Sequence, residues 1–398
     1  MSRMRARSFL AALLLCGPAL VGVGAGPAAA LPGDCSVQGG GPPSATLWAQ
    51  QRLKFQQVWP VTRGQGVLVA VIDSGLDTQN PQLRTLRPLP GRDVIDQPGF
   101  PVDSTRDCKG HGTEVTSIIA ALPSPGSSFL GMAPGVTILP IKQTNTDGDQ
   151  TGTWEGIARG IDAAVAAHAR VVNISVTSPN TGPQLADAVQ RAAAAGLVIV
   201  AAAGNDGAGN DLPAYPAAYS TRFPNVIAVS ATDAADQVAD FSQTGAYVTV
   251  AAPGVGVEVP APITGYVRVD GTSFAAPCVT ATVALMLAAH PGMTPIQVRN
   301  RLEATADPPP ATVPDRKYGY GIVNPYLAVT SVRSDSPVAS SSAVGPPVPA
   351  RAAPAPPDRH LQHVALGAAL ALVGLAAIVI AGAAVLRQPA PGRRRVAS

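Results

Sequence analysis

Charge is scarce in this 398-residue chain: Asp, Glu, Lys and Arg make up 13% of it, and the formal net charge is only +3. The basic residues form no long stripe, which argues against nucleic acid as a partner. Aromatic residues are held to 4%, and the four Cys and five His show no close clustering of the kind zinc uses, so neither metal nor cofactor is expected. "TDGDQ" around Asp147 and Asp149 lacks the spaced ligands and terminal Glu of a calcium loop and reads as a polar turn. No repeat of solenoid length is visible. What the chain has instead is apolar surface to bury, with 46% hydrophobic residues, and a supply of Gly and Pro, 40 of each. That is enough for one large core or two domains.

Both ends read as membrane-directed. Residues 1–30 carry Arg3, Arg5 and Arg7, then an apolar run, then small residues with Ala28-x-Ala30 as a cleavage site, the pattern of a secretory signal peptide. Cys16 lies within that run behind Leu15, which is not the small residue a lipoprotein site needs. Residues 364–386 contain neither charge nor Pro and would span about 34 Å as a helix, enough to cross a bilayer. Arg387, Arg393, Arg394 and Arg395 follow, so the tail 387–398 is expected in the cytoplasm and the main body outside the cell membrane. Residues 331–363 are rich in Pro, Ser and Ala and read as an extended linker.

Between these ends, apolar runs alternate with amphipathic stretches. Strands are expected at 67–72, 136–142, 170–176, 197–205, 225–231 and 247–254, and helices over the stretch containing Trp154, Ile157, Ile161 and Val165 and over 183–196, where Gly196 closes the turn. The alternation predicts an α/β fold, with a mainly parallel sheet covered by helices on both faces and sites beyond the carboxyl ends of the strands. Asn173-Ile174-Ser175 fits a glycosylation pattern but falls in a strand expected to be buried.

Three polar residues sit at element ends. "VIDSG" places Asp73 after a strand, "GHGTE" places His111 at a helix start, and "GTSFAAP" places Ser273 at the mouth of an apolar helix. Each has an ordinary explanation on its own: a turn former, a loop residue, a helix cap. Together they supply a hydroxyl nucleophile, an imidazole base and a carboxylate that orients the base. The joint pattern, in the order Asp, His, Ser, resembles the subtilisin-like serine proteases (subtilases) over roughly residues 64–328. The resemblance implies a subtilisin-like fold and an endopeptidase acting through an acyl-enzyme. It also implies an oxyanion-stabilising Asn205 at the end of "AAAGN", and a substrate path along Ser175, Val176 and Thr177 with a pocket wall at Ala202, Ala203 and Gly204. Where many subtilases have Ser-Leu-Gly, this chain has Ser175-Val176-Thr177, so a subsite should be reshaped. An esterase on an α/β-hydrolase fold fits poorly, because no Gly-x-Ser-x-Gly surrounds Ser273.

Only about 30 residues separate Ala30 from the first core strand, below what an independent core needs. This lead-in, residues 31–62, together with the signal peptide, the Cys before "KGHGT", the linker and the C-terminal helix, resembles the mycosins, membrane-anchored subtilases of type VII secretion systems. That resemblance implies protein or peptide substrates and association with a secretion membrane complex, with a mainly scaffolding role as the alternative to proteolysis. After removal of the signal peptide three Cys are left, allowing one bridge rather than the two typical of mycosins. Cys35 and Cys108 lie in Gly/Pro-rich or polar segments and are expected to pair, making the lead-in a strap rather than an inhibitor. Cys278, among Pro277, Val279 and Val283, is expected to be a buried thiol. The protease domain is expected to run from 63 to 330.

Overall fold

A computed structural model describes residues 39–95, 106–144 and 153–332 of the chain. The signal peptide, Cys35, most of the linker, the expected membrane helix and the tail therefore lie outside the described residues, as do Asp147 and Asp149.

Seven strands form one sheet in which every pairing is parallel. They are β1 (Leu68–Asp73), β2 (Arg92–Asp93), β3 (Thr137–Lys142), β4 (Val171–Ile174), β5 (Val198–Ala202), β6 (Val226–Thr232) and β7 (Val250–Pro253), in the order β2-β3-β1-β4-β5-β6-β7. The chain leaves β1 toward β3 on one side and returns to β4 on the other, so the carboxyl end of β1 is the switch point where such sheets open a crevice. The strands read as continuous apolar runs because both faces are covered. On β5, Val198, Val200 and Ala202 join one hydrophobic core while Ile199 and Ala201 join the other, and β1 divides the same way between Val69 and Val71 on one face and Ala70 and Ile72 on the other.

One face is covered by α3 (Trp154–Ala166) and α4 (Pro183–Ala194), the two helices the periodicity predicts. Thr153 caps α3 by accepting from the Gly156 N–H, and Gly196, at φ +74°, lets the chain turn out of α4. The other face holds α2 (His111–Ala120) and the 18-residue α5 (Thr272–Ala289). α5 is apolar on all sides because it is surrounded on all sides. Among the described residues it is the one helix long and apolar enough to cross a membrane, but 89% of it is buried within the protein: it is the core helix of the fold.

Several elements lie beyond those expected from the sequence. A two-stranded antiparallel hairpin, β8 (Val257–Pro260) and β9 (Tyr266–Val269), precedes α5, and α6 (Pro295–Thr305) and α7 (Pro325–Thr330) follow it. The lead-in also contributes to the core. Its helix α1 (Trp48–Leu53) and a following 3-10 turn bury Leu53, Phe55 and Val58 in the α5-side core. Upstream, Gly40 and Tyr266 exchange backbone hydrogen bonds, and Arg52 bridges Asp236 and Asp307 at 2.7 and 2.8 Å.

Candidate active site

The end of β1 and the start of α2 meet at Asp73 and His111. His111 Nδ1 donates to Asp73 Oδ1 at 2.6 Å, and the same oxygen accepts the Ser74 N–H at 2.8 Å. The approach is close enough to explain Gly112: a Cβ there would lie 3.1 Å from the Asp73 Cβ and press into the Gly75 backbone. Gly110, at φ +87°, supplies the left-handed turn that starts the helix.

A residue missed by the sequence reading holds this corner together. Asp107 is fully buried and accepts five hydrogen bonds, from Ser74 Oγ, the N–H groups of Lys109, Gly110 and Thr113, and Thr113 Oγ1. It caps α2 from four residues upstream of His111, while Ser74 Oγ, which donates to it, in turn accepts the Gly112 N–H at 2.9 Å. The only available signal was an acidic residue shortly before a helix start.

Ser273 is the second residue of α5. It is not the cap: the cap position is Gly271, with no side-chain cap bond, and Ser273 Oγ is buried with no hydrogen-bond partner. His111 Nε2 is buried and unpartnered as well. The His111 ring packs on the ring of Phe274, the next residue of α5, with centroids 5.2 Å apart. The backbone of Ser273 is fixed from β4, since Ser175 Oγ donates to the Ser273 carbonyl at 2.7 Å and accepts from Asn173 Nδ2 at 2.8 Å. Asn173, fully buried, also accepts from Thr280 Oγ1, which leaves its side chain closed to modification.

Asn205 reaches the same place from β5. Its Oδ1 accepts both the Thr272 N–H at 2.9 Å and Thr272 Oγ1 at 2.8 Å, which turns Nδ2 toward Ser273. A Cβ built on Gly271 would lie 2.8 Å from Ser273 Oγ and 3.5 Å from Asn205 Nδ2, so hydroxyl and amide face one small space that only a glycine leaves open. The Ser273 N–H belongs to the first helical turn, where the helix offers no partner, and the helix start favours negative charge there. An oxyanion formed on a carbonyl attacked by Oγ would meet two donors.

The expected substrate residues are distributed less evenly. Val176 is buried in the core and Thr177 is half-buried beyond the end of β4. Ala202 and Ala203 point into opposite cores, while Gly204 donates its N–H to Thr272 Oγ1 and packs against Gln243. Cys278 is a free, buried thiol whose pKa burial pushes up to about 12. Cys108 is disulfide-bonded, and Cys35 lies outside the described residues. Among the described residues no three His, Cys, Asp or Glu side chains gather as a metal site.

The electrostatics favour proton storage on His111. Burial lowers its pKa, but the charge and hydrogen bond of Asp73, helped by Glu114 and Asp107, more than offset this and hold it at about 9.

Residues 64–321 match the subtilase family model. Thermitase of Thermoactinomyces vulgaris is 34% identical over 72% of this chain and 96% of its own length. Mycosin-4 of Mycobacterium tuberculosis is 34% identical over 87% of this chain and 83% of its own length. The crystal structure of MycP1 from the ESX-1 type VII secretion system superposes with a TM-score of 0.65 at 30% identity, covering 76% of this chain and 91% of that one. With its parallel sheet, its buried central helix and its Asp-His-Ser order, the chain belongs to the subtilase family of serine endopeptidases.

Proposed function

We propose that the chain cleaves peptide bonds with Ser273 as nucleophile, His111 as general base, Asp73 as its orienting carboxylate and Asn205 as an oxyanion donor. The observation that carries this reading is the 2.6 Å Asp73–His111 bond, beside a buried Ser273 Oγ that makes no structural hydrogen bond. As Oγ attacks the scissile carbonyl carbon, its proton passes to Nε2. The oxyanion is met by Asn205 Nδ2 and the Ser273 N–H, and Nε2 then protonates the departing amine, leaving an ester on Ser273. Water repeats the sequence in reverse and frees the acid. The substrate backbone is expected to lie along Ser175–Thr177 and Ala202–Gly204, and the bond expected between Cys35 and Cys108 would tether the lead-in beside His111.

Similarity to mycosin-4 and to MycP1 of a type VII secretion system supports a place in such a machine, processing the proteins it exports. In this reading residues 1–30 direct export, residues 364–386 anchor the protein, and the catalytic domain faces outward. A fluorophosphonate probe unable to cross membranes tests chemistry and orientation together. It should label the wild-type protein on intact spheroplasts, label Ser273→Ala not at all, and label His111→Ala far more slowly. Equal labelling of wild type and Ser273→Ala would refute the nucleophile. Labelling only after lysis would refute the topology.

A further inference from the structure

The His111 ring is held by one hydrogen bond. Nδ1 donates to Asp73 Oδ1 at 2.6 Å, while Nε2 is buried and has no partner. One bond leaves the ring plane open, because the torsion that sets it is soft and broad in histidine. A general base must nevertheless present its nitrogen to the hydroxyl within a narrow range of directions. What meets the ring from α5 is Phe274. The two ring centroids lie 5.2 Å apart with planes inclined at 59°, inside the range of about 4.5–7 Å where ring pairs attract.

Phe274 is the one aromatic residue of α5, is 3% exposed and belongs to the α5-side core. Its own place is fixed twice. Its N–H donates to the Gly271 carbonyl at 3.1 Å, and Ser175 Oγ pins the peptide that joins it to Ser273 by donating to the Ser273 carbonyl at 2.7 Å. A Cβ on Gly271 would lie 2.8 Å from Ser273 Oγ and 3.4 Å from Phe274 Cδ2, so ring and hydroxyl border the same small space. α2, which begins with His111, packs along α5. The nucleophile and the ring that meets the base are thus consecutive residues of one helix.

We propose that Phe274 is a positioning residue acting through His111: its ring is the stop that sets the imidazole plane, so that Nε2 is turned to Ser273 before a substrate arrives. The proposal rests on the Asp73–His111–Ser273 reading. Asp73 fixes where Nδ1 sits, and Phe274 fixes how the ring is turned about that point. Filling the core alone would be served by an aliphatic side chain. A flat, stiff ring offers the imidazole a defined surface that a flexible chain does not.

The test compares steady-state kinetics of the full chain and of Phe274→Leu, which keeps an apolar side chain and removes the ring. On a peptide substrate kcat is expected to fall by about 10- to 100-fold with KM changed by less than about twofold, since the fault lies in aligning the proton transfer and not in binding. A merely structural role would lower the folded fraction and leave the kcat of the folded molecules unchanged, so circular dichroism fixes that fraction in each assay. A folded Phe274→Leu with wild-type kcat would overturn the proposal, as would a loss carried by KM alone. Should the variant not fold, NMR relaxation of the His111 ring C–H groups in the wild-type protein decides. An order parameter like that of rigid backbone, about 0.85, is expected; a value below about 0.6 would overturn the proposal. Ser273→Ala runs alongside: full activity in that variant would mean that the triad reading itself had failed, whatever Phe274 does.

Discussion

Ser273 shows how little a single residue reveals without its neighbours. A Ser before an apolar helix is the ordinary helix cap, yet here Gly271 takes the cap position and the hydroxyl bonds to nothing. A buried polar group left unsatisfied in a well-packed region costs stability and is kept where it serves chemistry. Asn205 is the complementary case: its Oδ1 accepts two hydrogen bonds from Thr272, while its Nδ2 borders the same space over Gly271 as Ser273 Oγ. Asn205→Ala is therefore expected to lose about 3 kcal/mol of transition-state stabilisation, a fall of roughly 100-fold or more in kcat. KM should change little, because in the proposed mechanism the donor serves the oxyanion and not the ground-state carbonyl. Steady-state kinetics on one peptide substrate would check this, and a loss confined to KM would count against the role. Asp73, His111 and Ser273 were legible in the sequence because each sits in a short motif at an element end. Asp107 and Thr272 were not, because their roles consist of hydrogen bonds to groups brought close only by folding.

At the scale of the element, the start of α2 is the most constrained corner. Gly110 makes the turn, Gly112 permits contact with β1, and Asp107 accepts the donors that the helix start and Ser74 present. Asp107→Ala would strand several buried donors at once, and leaving even one unsatisfied costs on the order of 1–3 kcal/mol. A loss of about 3 kcal/mol or more is expected, read as a lower urea midpoint at unchanged slope, and activity should fall further than stability explains because His111 would lose its seat. An unchanged midpoint would mean that the five bonds are replaced by water at no cost. Periodicity made β1, β3, β4, β5, β6, β7, α3 and α4 readable, because parallel strands buried on both faces and amphipathic helices leave strong patterns. The hairpin β8–β9 escaped notice: its strands are four residues each and β9 is only partly buried. α1 escaped too, as six residues without a side-chain cap.

For the whole molecule, the lead-in is part of the protease domain rather than an appendage. Phe55 is 1% exposed and packs at 5.8 Å on Trp59, whose Nε1 donates to the Met132 carbonyl. Phe55→Ala should cost about 3–5 kcal/mol through lost burial and the cavity left behind. If the segment is a strap, the purified variant should keep its specific activity at low temperature and lose it on warming, earlier than wild type. Activity above that of the wild type at low temperature would identify the segment as an inhibitor instead. At this scale hydropathy alone also misleads, since α5 satisfies the length and composition of a membrane span while forming the centre of the core. The unfavourable burial of backbone in lipid and in protein is solved by the same helix, so composition does not distinguish the two settings.

The family and the parallel α/β architecture were determined by the sequence itself, and so was the choice of Asp73, His111, Asn205 and Ser273 for the proposed site. Strand and helix periods, and polar residues at the ends of those elements, are local properties that survive in one dimension. The tertiary structure decided what depends on distance between remote segments. It makes Asp107 the anchor of the α2 start, has Ser175 hold the Ser273 carbonyl, and aims Asn205 through Thr272. It also merges the lead-in with the core. A hydrogen bond or a desolvation cost belongs to the assembled neighbourhood, and no spacing along the chain records it.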